Sequence, residues 1–574
     1  MKQQKRKPEQ EIIYQIYPKS FQDTNHDGIG DLRGIINHLD DLRDLGITMI
    51  WLCPIYPSPM EDNGYDVADY KAIHPDFGTM EDMDRLIEEA GKRDISLMLD
   101  LVLNHTSSRH KWFEKAVQDP GSKEHGYYIF EKGKEEPNNL RSVFGGSVWE
   151  KVRGRNEYYF HSFGKGQPDL NWENPALRQE IYQIIEFWKR KGIKAFRMDA
   201  INFIKKPEKW RRMEADGPDG RCKCTKVVRN HPGLLDYLHE MNEKCFKSDG
   251  IVTVGETAGL PYDQLEEYIG KNGCFTMVFD FRHADLDIRS GDEWFSRAEW
   301  KTADLKKRLE VSCSHIQKYG PGTSFLENHD QPRVTTKYLR KDQDDPYGKK
   351  MLGMLQMGLR GVPFLFQGQE LGMINFERTD VSELEDISSI DQFGRARECG
   401  YSAEEALHFV NLRSRDNARV PYPWNEEKYG GFSDADPWLA CNEQAQKRRI
   451  CFENQKNDPD SVLSFYKKLI SLRKSSDWSD TLNAGRIRFE EGNEEVIAFT
   501  RQKEEKELLV LCSFADHPVK TLCRKGTLIL DNYKETDMNV KVDEEGMIIL
   551  RPFEAMMIET EKRRENERHR ESVN

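Results

Sequence analysis

Ala195-Phe196-Arg197-Met198-Asp199-Ala200 closes an apolar run that begins at Ile193 and carries two charged residues inside it. A short apolar run of this kind predicts a buried strand. Alternate side chains of a strand share a face, so Arg197 and Asp199 point the same way. A guanidinium and a carboxylate on one face of a buried strand form a pair. Taken alone, that pair reads as a structural salt bridge; the rest of the chain decides whether it is more.

Seven further runs resemble this one: Ile12–Tyr17, Ile47–Cys53, Ile95–Leu103, Ile251–Gly255, Phe275–Phe281, Thr323–Leu326 and Val362–Phe366. Helical patterns lie between them, at Leu32–Leu45, Met80–Lys92, Pro175–Lys191, Leu234–Phe246, Leu305–Tyr319 and Tyr347–Leu359. Strand then helix, repeated, predicts an α/β fold of the (β/α)8 TIM-barrel type. Asn174-Pro175 opens one helix with a cap residue and a proline at the first helical position. The stretch 104–171 is too long for a simple connection and predicts a small domain inserted after strand three. A second excursion, about 371–444, forms an active-site subdomain. After the helix Val462–Lys474 the pattern turns to short strands, which predict a C-terminal β-sandwich over 481–561. The barrel thus takes 1–103 and 172–480, and the charged tail 562–574 is expected to be disordered.

Composition narrows the class. Hydrophobic residues make up 37% and charged residues 32% of 574. No apolar run approaches the ~20 residues that span a bilayer. The basic, polar N-terminus lacks the apolar segment of a secretory signal. Eleven cysteines without framework spacing fit a reducing cytoplasm. Cys222-Lys223-Cys224 has no partner pair at zinc spacing, so no metal is expected there. The net charge of −13 argues against nucleic acid or an anionic membrane as partner. The charge fits a neutral small-molecule substrate, and the chain is expected to be a monomer or weak homo-oligomer.

Active sites of such barrels form where the strands end. The ends carry Asp66, His105, Asp199, Glu256, His329 and Asp330. An acidic rim without a function would only repel itself. Asp199 and Glu256 end consecutive strands, ~4.8 Å apart, the spacing of a retaining glycosidase at ~5 Å. Arg197 is expected to keep Asp199 ionised as a nucleophile. Glu256, behind apolar residues and Gly255, is expected to be raised as a general acid. The first strand leads into Asp23-Thr24-Asn25-His26-Asp27-Gly28-Ile29-Gly30-Asp31. Oxygen donors at alternate positions with Gly at the sixth predict a Ca2+ (or Mg2+) loop with ligands Asp23, Asn25, Asp27, Ile29 and Asp31. Gly34 at the twelfth position excludes an EF-hand; a turn capped by aspartates is the alternative.

On these segments the chain resembles the α-amylase family of glycoside hydrolases (family 13), in its oligo-1,6-glucosidase and bacterial α-glucosidase group. The segments are Asp100–His105, Ala195–Ala200, Val254–Glu256, Phe325–Asp330 and Gln167–Asn171. The resemblance implies Asp199 as nucleophile, Glu256 as acid/base and Asp330 as the third carboxylate. It implies that Asp66, His105, Arg197 and His329 grip the terminal glucose. Ser414–Arg419 matches a motif whose arginine closes the pocket; Arg419 is favoured and Arg415 is the alternative. Ala200 and Phe163 complete the expected substrate contacts. The cation loop matches a structural site of the group, away from the reaction. Thr257-Ala258 and Val420-Pro421-Tyr422-Pro423-Trp424 depart from the group's usual sequences on the side of the leaving sugar.

The implied activity is a retaining exo-α-glucosidase acting on short α-glucosides. Two alternatives share the fold: a sucrose isomerase or transglucosylase, for which Gly394-Arg395-Ala396-Arg397 is the relevant stretch, and a trehalose-6-phosphate hydrolase. A non-catalytic binding member is the distant alternative, since such members lose carboxylates that are all present here.

Overall fold

The structure, a computed structural model, describes residues 6–561 except 218, 290–292, 340–343 and 535–536. The expected tail 562–574 lies outside the described residues.

Eight parallel strands form the barrel: β1 (Ile13–Ile16), β2 (Met49–Leu52), β3 (Ser96–Val102), β4 (Ala195–Asp199), β5 (Val252–Glu256), β6 (Met277–Phe279), β7 (Thr323–Ser324) and β8 (Val362–Phe366). Their order in the sheet is β6-β5-β4-β3-β2-β1-β8-β7. The ring is nearly closed: across the seam between β6 and β7 the Thr323 hydroxyl donates to the Val278 carbonyl at 3.1 Å. All eight apolar runs of the sequence become these strands. Alternate residues fill the barrel, with Ile13, Met49, Trp51, Met98, Ala195, Val254, Met277, Phe279 and Phe364 forming one buried cluster. Bulky side chains layered in this way make the barrel a core and not a pore.

The helices Met80–Lys92 and Pro175–Lys191 run as the pattern predicts. The Asn174 side chain accepts from Ala176 N, and Pro175 opens that helix. The single helix expected over Leu32–Leu45 is instead two, Leu32–Asn37 and Leu39–Leu45, broken at His38. A long-range contact explains the break. The His38 ring stacks on Trp424, with centroids 3.4 Å apart, and its Nδ1 lies 2.7 Å from Asp41. Local periodicity carries no information about Trp424.

The stretch 104–171 holds a helix, Lys111–Gln118, and a three-stranded antiparallel sheet with Glu157–Phe160 between Phe130–Lys132 and Trp149–Lys151. A short pairing not read from the sequence, Leu140–Arg141 with Cys222–Lys223, ties this insert to the segment after β4. The excursion after β8 contains the helices Ile387–Glu398 and Ala403–Arg413 and the turn Asp416–Arg419. Beyond Ser479–Ala484 come a six-stranded sheet and a two-stranded ribbon, the latter pairing Val519–Leu522 with Met547–Leu550. Buried Arg501 pegs that sheet to the barrel by donating to the Gly358 and Leu359 carbonyls at 2.8 and 2.9 Å. Among the described residues no helix is long and apolar enough to cross a membrane.

Candidate active site

The register of β4 and β5 sets the level of the two central carboxylates. Met198 lies opposite Gly255, so Asp199 and Glu256 leave the barrel at one height, on strands ~4.8 Å apart. Arg197 joins them. Its Nη1 donates to Asp199 Oδ1 at 2.8 Å, and its Nη2 to Glu256 Oε2 at 2.8 Å. Nη1 also reaches both oxygens of Asp100, at 2.8 and 2.9 Å, because Asp100 stands opposite Arg197 on β3.

One guanidinium therefore serves three carboxylates. Burial pushes Asp199 well above the ordinary carboxylate range; Arg197 pulls it down, while Glu256, Asp100 and Asp330 push it up again. Burial likewise takes Asp100 up to about 6 against the pull of Arg197. The expectation that Arg197 by itself keeps Asp199 ionised is thus corrected. A single positive charge shared among three carboxylates does not offset the burial of Asp199. Nor is Glu256 in the apolar setting expected from Val252–Gly255. Its Oε2 accepts from Arg197 and from the Ala200 N–H at 2.9 Å, and the side chain keeps 21% exposure. Ala200 holds the left-handed conformation, φ 41° and ψ 33°, which aims that N–H at Glu256. Strain of this kind concentrates at functional sites.

The opposite wall comes from the loops after β7 and β8. Asp330 Oδ1 accepts from Arg419 Nη2 at 2.9 Å and lies 3.3 Å from Arg415 Nη1. Burial opposes the charge of Asp330, but His329, Arg415, Arg419 and Arg197 outweigh it and hold the carboxyl well below the ordinary range. Both candidate arginines thus reach the third carboxylate. They differ otherwise: Arg419 also donates to the His329 carbonyl at 3.1 Å, whereas Arg415 bridges Asp62 at 3.0 Å and Asp386 at 2.6 Å.

Asp66 is the one expected contact that the structure removes from the cavity. It is fully buried, and its carboxyl accepts from the Ser58 hydroxyl at 2.7 Å and from the backbone N–H groups of Glu61 and Asp62 at 3.0 and 3.2 Å. Burial pushes it up to about 6. Asp66 ties its own loop together, and Asp62 faces Arg415 in its place. A left-handed turn at Asn63 and Gly64, φ 48° and 104°, lies between the two acids. His105 is buried as well, its Nε2 3.1 Å from the Tyr65 carbonyl and 3.2 Å from Gln167 Nε2, and burial lowers its pKa. Phe163 packs on His105 and on Phe144, the ring that lies under Arg415.

Sequence reasoning missed Asp62, Gln167, Tyr65 and Gln15. Gln167 Nε2 donates to Asp62 Oδ2 at 3.0 Å. Asp62 was signalled, as a second acid four residues before Asp66 with Asn-Gly between them. Gln15, inside an apolar strand, carried no signal beyond being polar there.

The loop 23–31 is folded on its own oxygens. Asp23 accepts from the N–H groups of Asn25, His26 and Gly28 at 3.0, 2.8 and 2.8 Å and from Ser433 at 2.5 Å. Asp31 caps the helix Leu32–Asn37 through Gly34 N and accepts twice from Thr24. Asn25 donates to Asp27, which accepts from Ile29 N. The donor set of carboxylates, one amide and the Ile29 carbonyl suits a hard cation by its chemistry. Its carboxylates are nonetheless engaged in these bonds. Among the described residues no group of three or more His, Cys, Asp or Glu is arranged to hold a metal ion.

The description "Alpha amylase, catalytic domain" matches residues 15–481. The chain belongs to the α-amylase family of glycoside hydrolases. Within this family it is 37% identical to an oligo-1,6-glucosidase of Bacillus cereus, over 95% of this chain and 98% of that one. It is 40% identical to a glucan 1,6-alpha-glucosidase of Streptococcus pneumoniae, over 88% and 91%. Its fold matches the crystal structure of an isomaltulose synthase from Protaminobacter rubrum with a TM-score of 0.90 and 34% identity, covering 97% of this chain and 99% of that one. The eight-stranded barrel and the C-terminal sheets belong to this family's architecture, and the enzyme is a glycoside hydrolase.

Proposed function

We propose that this α-amylase-family enzyme is a retaining, exo-acting α-glucosidase that releases glucose from the non-reducing end of short α-glucosides. The observation that carries this is the Arg197 fork, which holds Asp199 and Glu256 on neighbouring strands at one height. A close pair of carboxyls leaves no room for a water between acid and base, so the second acid attacks directly. Asp199 then forms the glycosyl-enzyme, and Glu256 protonates the leaving oxygen. Glu256 next takes a proton from the water that frees the glucose. Asp330, kept ionised by Arg415 and Arg419, faces the positive charge that develops on the sugar ring. The Arg415–Asp62 pair, which ties the excursion after β8 to the loop after β2 beside Asp330, favours exo action.

Relatives named for 1,6-glucosidase activity support isomaltose and isomalto-oligosaccharides first. The small Ala200 side chain beside the nucleophile supports maltose and sucrose in addition. Likeness to an isomaltulose synthase favours a second reading, isomerisation of sucrose. Against it, Arg395 is already paired with Glu293 at 2.7 Å. Incubation with isomaltose, maltose, sucrose and trehalose 6-phosphate, followed by separation of the products, tests both. Glucose from isomaltose supports the proposal; isomaltulose from sucrose as main product overturns it.

A further inference from the structure

A line of buried contacts runs beneath the sugar cavity from β1 to the carboxylates. Gln15 Nε2 lies 2.7 Å from His329 Nδ1 and 3.2 Å from Cys53 Sγ. An amide NH2 has two protons to give and no lone pair to accept with, and here it has two acceptors. His329 Nδ1 therefore accepts, which places the ring proton on Nε2. That nitrogen lies 2.6 Å from Tyr65 Oη and 3.2 Å from Asp330 Oδ2. The Tyr65 hydroxyl donates onward to Asp100 Oδ2 at 3.0 Å, and Asp100 accepts from Arg197. Every proton in the chain has one direction, and Gln15 sets it.

We propose that Gln15 is a positioning residue: it fixes His329 as the neutral Nε2–H tautomer, so that Tyr65 gives its proton to Asp100 and Asp330 faces a donor. Without Gln15 the ring can carry its proton on Nδ1. Nε2 would then accept from Tyr65, and the Tyr65 proton would turn away from Asp100. Asp100 would lose a donor that lowers its pKa and would hold its proton to higher pH. The groups facing His329 are Asp330 beside it, Cys53 and Tyr65 beyond β2, Asp100 on β3, Arg197 on β4, and Arg415 and Arg419 beyond β8. Three arginines and burial all disfavour an imidazolium there, in keeping with a His329 pKa lowered to about 3.

The test uses the full chain, labelled with 15N-histidine. Two-bond proton–nitrogen correlation at neutral pH, with His329 assigned by its loss in His329→Gln, reads the tautomer without any substrate. This arm is independent of the α-glucosidase reading. Nδ1 as the unprotonated nitrogen is the expected result; a protonated Nδ1 overturns the proposal. A second arm compares pH profiles of kcat/KM. Gln15→Leu should lower kcat/KM roughly ten-fold, as loss of about one hydrogen bond does, and displace the acid limb. Gln15→Glu, which can only accept from Nδ1, should move the ring proton to Nδ1 and add a histidine ionisation to the profile. If the variants fold and both limbs stay where the wild type has them, Gln15 is only structural. If neither folds, the wild-type spectrum decides alone.

Discussion

Arg415 Nη2 sits 3.0 Å from Asp62 Oδ1, joining the excursion after β8 to the loop after β2. Two walls of the active site, 353 residues apart in sequence, are locked by this pair, and Asp330 and Asp386 share the same guanidinium.

The two acids of the β2 loop should separate cleanly. Asp62→Asn weakens the contact with Arg415 while leaving that arginine Asp330 and Asp386. It should lower kcat/KM about 10–100-fold, as loss of a charged contact does at a shaped site, with little change in melting temperature. Asp66→Ala strips the acceptor from Ser58 and two backbone N–H groups. It should cost about 1–3 kcal/mol of stability, read by denaturant unfolding. The reverse pattern would restore Asp66 to the site.

The acid side of the pH profile follows from the shared guanidinium. A carboxylate whose pKa is raised holds its proton to higher pH, so activity that needs ionised Asp199 should rise through a limb above the ordinary aspartate value of ~3.9. Arg197→Gln should move the limb further up and cost about 3–5 kcal/mol, because it leaves buried charges unpaired. For stability the sign is set by the same shifts. Asp66 and Asp100, both raised to about 6, contribute stability that is complete below ~3.9 and lost as pH rises through 6. Melting temperature measured from pH 4 to 7 should therefore carry a falling component, smaller in Asp66→Ala, where only the Asp100 part remains.

Much of this architecture is legible in the sequence because the barrel writes itself locally. Each strand is an apolar run, and each strand end carries its polar residue one or two positions later, as at Arg197-Met198-Asp199 and Gly255-Glu256. What is not legible depends on partners far along the chain. His38 breaks a helix to meet Trp424, and Arg197 is divided among three acids from three strands. Asp62 and Asp66 look interchangeable until the fold pairs one with Arg415 and turns the other onto its own loop. Gln15 is one polar residue in an apolar strand, and only the position of His329 gives it a role.

Linkage preference should depend on Ala200. Two added methyls narrow the space that the bond to the leaving sugar must cross, and a 1,6 link bends around them more readily. Ala200→Val should shift the ratio of kcat/KM values toward isomaltose over maltose by about 1–3 kcal/mol. It should also cost about 1 kcal/mol of stability, since a β-branched residue fits the left-handed φ of 41° poorly. An unchanged ratio would remove the steric argument and assign linkage to Thr257-Ala258 and Tyr422-Pro423.

We propose that the loop 23–31 takes up one Ca2+ or Mg2+ with a structural role. Chelation should lower the melting temperature of the wild type, and Asp23→Ala should abolish that response without a proportionate loss of kcat. A chelated protein that melts where the untreated one does would leave the loop as a turn held by its own hydrogen bonds.

The central claim is that Asp199 and Glu256 perform a double displacement. Asp199→Asn and Glu256→Gln should each keep the fold and lower kcat by several orders of magnitude. The most direct measurement is proton NMR of the sugar released in the first minutes of hydrolysis of isomaltose, before the anomers equilibrate. The account predicts α-glucose first; β-glucose appearing first would contradict it.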